Sequence, residues 1–423
     1  MSKNVVIIEP PKFMIDSFIK RAKTYNDNLI IVRSKADNKQ YGHIISKDIR
    51  KEFESIKDEI SQCFGKPDAI FTVSEMFLTQ TARLAEYFNV ALNDNTSIEI
   101  SRDKSKMKEK WINDKVTTPK SFFIKSYSEF DRVKNYLEYP LIVKPSSGYA
   151  SFGVKRVENE EELVKQFKEI QMLNALIVSK EKLNNIGCII EEYIEGKEFS
   201  IDTFWVEGVP ILHCILSKCI SKGPYYPDRL YYMDPFLEEK TKKSIEDIAE
   251  KAVSSIGIKN GATHTEIRFK KDIPYIIETT SRPGAGGGFF KLFEQALGIP
   301  VSQIFYDIQT RRFKYKLKRC DQYQYLKNKT YYFWYNVPYG KEGIIKDIII
   351  DKQIEKQPEI TSYILFKSVG DRLYMEHMNP DYFCWILGAV SSDKLRKERK
   401  DLEGFVSQFN NYIRLKFGTV KSL

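Results

Sequence analysis

Residues 264–284 read HTEIRFKKDIPYIIETTSRPG, two apolar-rich runs around a charged turn, with Glu266 in the first and Glu278 in the second. A hairpin turning about Lys271, Asp272 and Ile273 sets Glu266 opposite Glu278. Arg268 and Ile276 then share one face, while Ile267 and Phe269 meet Ile277 and Tyr275 on the other, apolar face. Like charges directly across a sheet are destabilising, so such a pair needs compensation. A divalent cation supplies it, and hard oxygen donors suit Mg²⁺. Two surface glutamates in a different register are the competing reading.

Three further strings carry chemistry. Arg282 follows Glu278 by four residues and precedes PGAGGGFF, a Gly-rich entry to a helix. Backbone N–H groups at such an entry favour an anion, and a guanidinium binds phosphate or carboxylate in bidentate fashion. Lys144 ends the apolar run LIVK and is followed by PSSGYASFG. A lysine there reaches an α- or β-phosphate while the loop backbone closes over it, and Gly148 and Gly153 let that loop approach and move. In IIEEYIEGKEF, backbone groups and a carboxylate after an apolar strand suit an adenine edge, and Glu198 is a pure acceptor for ribose hydroxyls. A solvated acidic turn explains the same string without a ligand.

These groups need elements to hold them. NVVII, LIIVR and AIFTV, alternating with helical stretches such as Leu78 to Phe88, predict a small parallel α/β domain. Its first strand ends in EPPKFM, which lacks the glycines of a dinucleotide-binding turn. SRDKSKMKEKW predicts a helix capped by Ser101 with Lys104 in its first turns. SFFIK, LIVKP and VKRVE are short strands, and CIIEEYIEGKEFSIDTFWV is two strands with a kink at Glu195-Gly196. In TKKSIEDIAEKAVSSIG, one face collects Ile245, Ile248, Ala249, Ala252, Val253 and Ile256, with Gly257 as the stop. The tail alternates strands and turns and ends in a helix over about Lys394 to Phe417.

The 423 residues suffice for two to four structural units. The chain is 42% hydrophobic and 29% charged, with a net charge of +10 spread along its length, which suits a solvated surface and anionic ligands. No nucleic-acid motif accompanies that charge. No apolar run is long enough to span a bilayer and no signal peptide is read at the N-terminus. Cys63, Cys188, Cys214, Cys219, Cys320 and Cys384 form no C-x-x-C pair, as expected of reduced thiols in a cytoplasmic protein. His43, His213, His264 and His377 show no H-x-x-x-H spacing, which argues against a histidine metal site.

Taken in order, the DK helix, the strand VKP with its Ser/Gly loop, EEYIEGKEFSID, and TEIRF…IIETTSRPG resemble the ATP-grasp superfamily of carboxylate–amine ligases. The resemblance spans about residues 1–310, and HTEIR with the glycine run after SRP looks most like bacterial L-amino-acid ligases. It implies an α/β and α+β multi-domain fold: an N-terminal parallel α/β domain (1–98), a small lobe with a flap loop (99–190), a large lobe with the metal hairpin (191–315) and a small C-terminal subdomain (316–423). It further implies Lys104 and Lys144 on the nucleotide phosphates, with Ser147, Gly148, Ser151 and Gly153 in the flap. Glu191, Glu192, Tyr193 and Ile194 then meet adenine, and Glu198 meets ribose. Glu266 and Glu278 hold two Mg²⁺ ions, with Mn²⁺ as a substitute, and Arg282 steadies the transferred phosphate and the acyl group. Many relatives carry Asn where this chain has Thr280, a poorer metal ligand. The implied activity is ATP-dependent amide formation between two amino acids, in a cytoplasmic enzyme for which a homodimer is one allowed assembly, with neither nucleic acid nor membrane as partner. The alternatives are a ligase or carboxylase for another small carboxylate or amine, and a nucleotide-binding protein that has lost turnover. His264, two residues before a metal ligand, is expected to be structural, and His213 ranks no higher.

Overall fold

The computed structural model describes residues 1–35, 42–148, 151–181, 186–219, 223–314, 324–376 and 382–418, with the backbone alone for 175–181 and 324. Tyr149 and Ala150 of the expected flap, Cys320 and His377 lie outside the described residues.

Four short strands, β1 (Asn4–Ile8), β2 (Asn28–Val32), β3 (His43–Ile45) and β4 (Ala69–Phe71), form a parallel sheet ordered β3-β2-β1-β4. Their near-continuous apolar sequences suit a sheet covered on both faces, and β1 is buried from Val5 to Ile8. Helix Lys12–Tyr25 pins this domain to helix Val301–Gln309. Arg21 binds both oxygens of Asp307 through Nε and Nη2, Arg312 clamps Asp27 at 2.6 and 2.7 Å, and Phe18 packs among Phe71, Phe305 and Tyr306. The carboxyl ends of the strands, where ligands collect in open α/β sheets, are thereby held over the rest of the molecule.

The next sheet contains β5 (Ser121–Ile124), β6 (Leu141–Pro145), β7 (Lys155–Val157) and β8 (Cys188–Glu192), antiparallel in the order β5-β8-β6-β7. The helix that precedes it, Lys104–Asn113, is capped by Asp103 rather than Ser101. The Asp103 carboxylate accepts from the N–H groups of Ser105 and Lys106, and Ser101 closes the preceding helix Asn95–Arg102 instead. The Lys104 N–H donates to the Ser146 carbonyl at 2.9 Å, which ties the helix start to the end of β6.

The chain continues through β9 (Glu198–Val206), β10 (Val209–Lys218), β11 (Leu230–Met233), β12 (Gly261–Lys270), β13 (Ile273–Thr280) and β14 (Thr330–Asn336). It ends with β15 (Gly343–Ile350), β16 (Ile360–Leu365), β17 (Arg372–Leu373), β18 (Cys384–Ser391) and β19 (Ile413–Phe417). One eight-stranded sheet, β13-β12-β9-β10-β11-β14-β18-β16, crosses residue 315, and β17-β15-β19 form a small sheet of their own. The tail is therefore not one long helix. Helices Ser392–Glu398 and Leu402–Ser407 are followed by a strand, because Ile413 and Leu415 alternate with charged residues and pair with β15. Helix Glu239–Ile256 buries the expected six-residue face and stops at Gly257 in the left-handed region.

Two local features shape the cleft between the lobes. Gly196, at the kink between β8 and β9, has φ +141°, and a Cβ there would lie 1.9 Å from the Phe269 carbonyl oxygen. Only glycine lets the hinge pass this close to β12. The hairpin of β12 and β13 turns on Lys271 and Asp272, with Lys270 paired to Ile273, one residue tighter than expected. A bulge at Ile277 then restores the expected pairing of Glu266 with Glu278. The consequence is an exchange of faces. Ile276, not Ile277, joins Ile267 and Phe269 in the core, and Ile277 lines the cleft.

Candidate active site

A cleft of about 500 Å³ lies where the parallel sheet, the small lobe and the eight-stranded sheet meet. Of the residues read from sequence, Lys104, Lys144, Gly148, Ser151, Glu191, Glu192, Ile194, Glu198, Glu266, Glu278 and Arg282 line it. Ser147, Gly153 and Tyr193 do not. Ser147 donates to the Arg102 carbonyl at 3.0 Å. Gly153 is packed between Leu173 and Pro145. The guanidinium groups of Arg156 and Arg268 lie over the Tyr193 ring, 4.5 and 5.1 Å from its centre.

The two glutamates share one face of the hairpin. The Glu278 carboxylate accepts a salt bridge from Lys104 Nζ at 2.8 Å, and that same Nζ donates to the Gly148 carbonyl at 3.3 Å. One lysine thus links the metal-type carboxylate to the loop after β6. Glu266 faces Lys218 Nζ at 3.5 Å. Lys218 also meets Glu198 at 2.5 Å and Asp228 at 3.6 Å. Burial pushes the Glu266 carboxyl up; Lys218 pulls it down, but Glu198, Glu278 and Asp228 push it up again. This crowding of carboxylates is the electrostatic situation a divalent cation relieves. Among the described residues no three His, Cys, Asp or Glu side chains gather as a metal cage. Mg²⁺ commonly takes only one or two carboxylates and completes its shell with phosphates and water, so Glu266 and Glu278 fit that ion.

Lys144 and Glu191 form a buried pair at 2.5 Å, and the other Glu191 oxygen sits 3.1 Å from Lys108 Nζ. The Glu191 side chain is therefore engaged by two lysines. Burial lowers the Lys108 ammonium to about 8, with Lys144 adding to the effect and Glu191 opposing it. Burial raises the Glu191 carboxyl, but the two lysines outweigh this and hold it below its usual range. Glu192 pairs with Lys270 at 2.7 Å on the surface side. Lys144→Met keeps the volume and removes the charge. It should weaken ADP binding at least tenfold, or about 1.4 kcal/mol, and lower the melting temperature. Calorimetric titration with Mg-ADP checks this, and unchanged affinity would reduce Lys144 to a structural partner of Glu191.

The parallel domain contributes a residue that reading the sequence missed. Glu75 follows β4 and is buried. One oxygen accepts from Arg282 Nε at 2.7 Å and from Thr280 Oγ1 at 2.6 Å; the other is paired with Arg102. The Thr280 hydroxyl donates to Glu75 and is thus directed at a carboxylate. Burial raises the Glu75 carboxyl, but Arg102, Arg282 and the Thr280 hydroxyl outweigh it and bring it down to about 2. The available signal was its place just beyond the carboxyl end of a buried parallel strand. Lys218 and Asp228 were missed as well, and no motif marks them.

His264 lines the cleft, with Nδ1 2.6 Å from Asp202 and Nε2 3.9 Å from Glu266. Asp202 also accepts the Gly284 N–H at 2.8 Å. His264 is thus held rigidly beside the hairpin, as a structural histidine is. His213 lies outside the cleft, between Thr203 and Glu250.

Residues 137–289 match the family model described as an ATP-grasp domain. The chain is 26% identical over 280 residues to the alanine–anticapsin ligase of Bacillus subtilis (strain 168), a match over 62% of this chain and 58% of that relative. It is 22% identical over 188 residues to a D-alanine–D-alanine ligase of Chromohalobacter salexigens, covering 44% of this chain and 56% of the other. The chain thus spans somewhat over half the length of these relatives. In three dimensions the chain superposes on the crystal structure of an L-amino acid ligase from Bacillus licheniformis with a TM-score of 0.82, at 22% identity, over 99% of both chains. The biotin carboxylase domain of Hydrogenobacter thermophilus 2-oxoglutarate carboxylase gives 0.69 at 16% identity, over 98% of this chain and 91% of that one. These superpositions show the fold: a parallel α/β domain, then two antiparallel-sheet lobes that enclose the cleft.

Proposed function

We propose that this protein is an ATP- and Mg²⁺-dependent ligase that joins two L-amino acids through an acyl phosphate and releases ADP and phosphate. The observation that carries the reading is the pairing of Glu266 with Glu278 on the cleft face of the hairpin, bordered by Lys104, Lys144 and Arg282. The similarity to an alanine–anticapsin ligase and the fold shared with an L-amino acid ligase support it.

A substrate carboxylate attacks the γ-phosphorus of ATP and ADP leaves. The amine of the second amino acid then attacks the acyl carbon, phosphate leaves, and an amide remains once the nitrogen has lost a proton. Phosphoryl transfer is helped mainly by positioning and charge neutralisation. Bound to Glu266 and Glu278, Mg²⁺ supplies positive charge to the phosphates, and Mn²⁺ is expected to replace it. Lys144 and Lys104 reach the phosphates from the small-lobe side. Arg282, oriented by Glu75, binds the transferred phosphate and the acyl oxygen. Ile194 and Ile277 offer apolar walls to the base, and Glu198 offers acceptors to the ribose.

The four-part division of the chain, the cytoplasmic location and a homodimer belong to the same proposal. Among the described residues no helix is long and apolar enough to cross a membrane. The test of function is a mass-spectrometric screen of amino-acid pairs with ATP and Mg²⁺, with phosphate release in parallel. A dipeptide mass with equivalent phosphate is the expected result. Phosphate release that requires some other carboxylate or amine would favour the wider ligase class. ADP binding without release for any pair would leave a nucleotide-binding protein.

A further inference from the structure

One part of the cleft is walled by a cluster of aromatic rings. Phe13 comes from the parallel domain, Phe289 follows the glycine run, Trp334 lies on β14, Phe366 follows β16, and Tyr382 and Trp385 lie at the start of β18. Ring centres are 4.4 Å apart for Phe366 and Trp385, 5.0 Å for Tyr382 and Trp385, and 5.6 Å for Phe13 and Trp385, all steeply inclined. The glycine run is fitted to this wall. A Cβ on Gly288 would lie 2.5 Å from Trp385 Cζ3. Ala285 and Gly286 line the cleft beside Arg282, so the ring-walled end borders the guanidinium that faces the reacting groups.

Asp228 and Glu75 at this end already have counter-charges. Asp228 accepts from the hydroxyls of Tyr231 and Tyr382 and faces Lys218. Glu75 is held by Arg102, Arg282 and Thr280. Glu9 accepts the Ser34 N–H at 2.5 Å. An uncharged aromatic ring seated there gains edge-to-face contacts and apolar burial. A small side chain would leave the accessible faces of Phe13, Phe366 and Tyr382 in water.

We infer that one of the two amino acids joined in this cleft carries a large uncharged aromatic side chain, seated among Phe13, Phe366, Tyr382 and Trp385. The inference rests on the ligase reading above and adds the substrate class. Full-length protein with Mg²⁺ and a non-hydrolysable ATP analogue is titrated calorimetrically with L-phenylalanine, L-alanine and L-lysine, and phosphate release is measured for the same amino acids with ATP. Phenylalanine should bind at least about tenfold more tightly than alanine or lysine. Phe366 is 36% exposed, so Phe366→Ala should fold and should cut that preference about tenfold; Phe13→Ala provides a second wall. Equal or tighter binding of alanine or lysine, or a preference that survives both variants, overturns the inference. Phosphate release with small amino acids alone overturns it too and leaves the ligase reading intact. Preferred binding of phenylalanine with no phosphate release for any pair overturns the ligase reading and leaves the side-chain preference standing.

Discussion

Replacing Glu278 by alanine should lower product formation by about three orders of magnitude, at the upper end of what one preorganised electrostatic group supplies. Two losses coincide. The hairpin keeps only Glu266 to hold Mg²⁺, and Lys104 loses the carboxylate that sits 2.8 Å from its ammonium. The folded state should hardly notice. Glu278 lies directly opposite Glu266, and removing one of two like charges across a sheet relieves about 0.2–1 kcal/mol of repulsion, which offsets the lost ion pair. Turnover assays beside a thermal melt separate the two effects. Normal turnover in Glu278→Ala would show that the carboxylate pair does not serve the phosphates. A melting temperature that drops by ten degrees would show that Glu278 holds the hairpin rather than a metal ion.

Glu75→Gln should reduce kcat by about a hundredfold while changing the KM for ATP little. The substitution keeps size and an acceptor but removes the charge that holds two guanidinium groups. Arg282 loses its anchor, and Arg102 loses a buried partner. Losing one member of such a network costs more than a surface pair. The carboxyl of Glu75 is lowered from 4.5 to about 2 in the folded chain, a difference that corresponds to about 3 kcal/mol. The sign follows from the depressed value: the contribution is present above about pH 4.5 and is lost as pH falls towards 2. Acid unfolding of the wild type should therefore show an extra loss of stability over that window, and the Gln variant should lack it. Equal acid sensitivity in both proteins, or an unchanged kcat, would remove Glu75 from its place behind Arg282.

Much of the site was legible because its parts are local. Glu266 and Glu278 are twelve residues apart on a hairpin, and period-2 alternation with a charged turn is enough to set them side by side. The details were less secure. The turn is one residue tighter than expected, and the bulge at Ile277 restores the pairing. Bulges follow from twist and neighbouring contacts, not from propensity. The same limit explains the C-terminal strand Ile413–Phe417, where pairing with β15 outweighs a sequence that also suits a helix.

By itself the sequence determined most elements as far as the glycine run, Lys104 at a helix start and Lys144 at a strand end, the paired carboxylates and the arginine after them, since each is specified within one strand, turn or helix start. Only the tertiary structure decided what surrounds them. Glu75 meets Arg282 across 207 residues of chain, Lys218 stands among Glu198, Asp228 and Glu266, and six rings from five separate segments wall one end of the cleft. Those meetings depend on how the parallel domain, the hairpin and the C-terminal strands pack, which is set by long-range burial of apolar surface and leaves no periodic trace in any single segment.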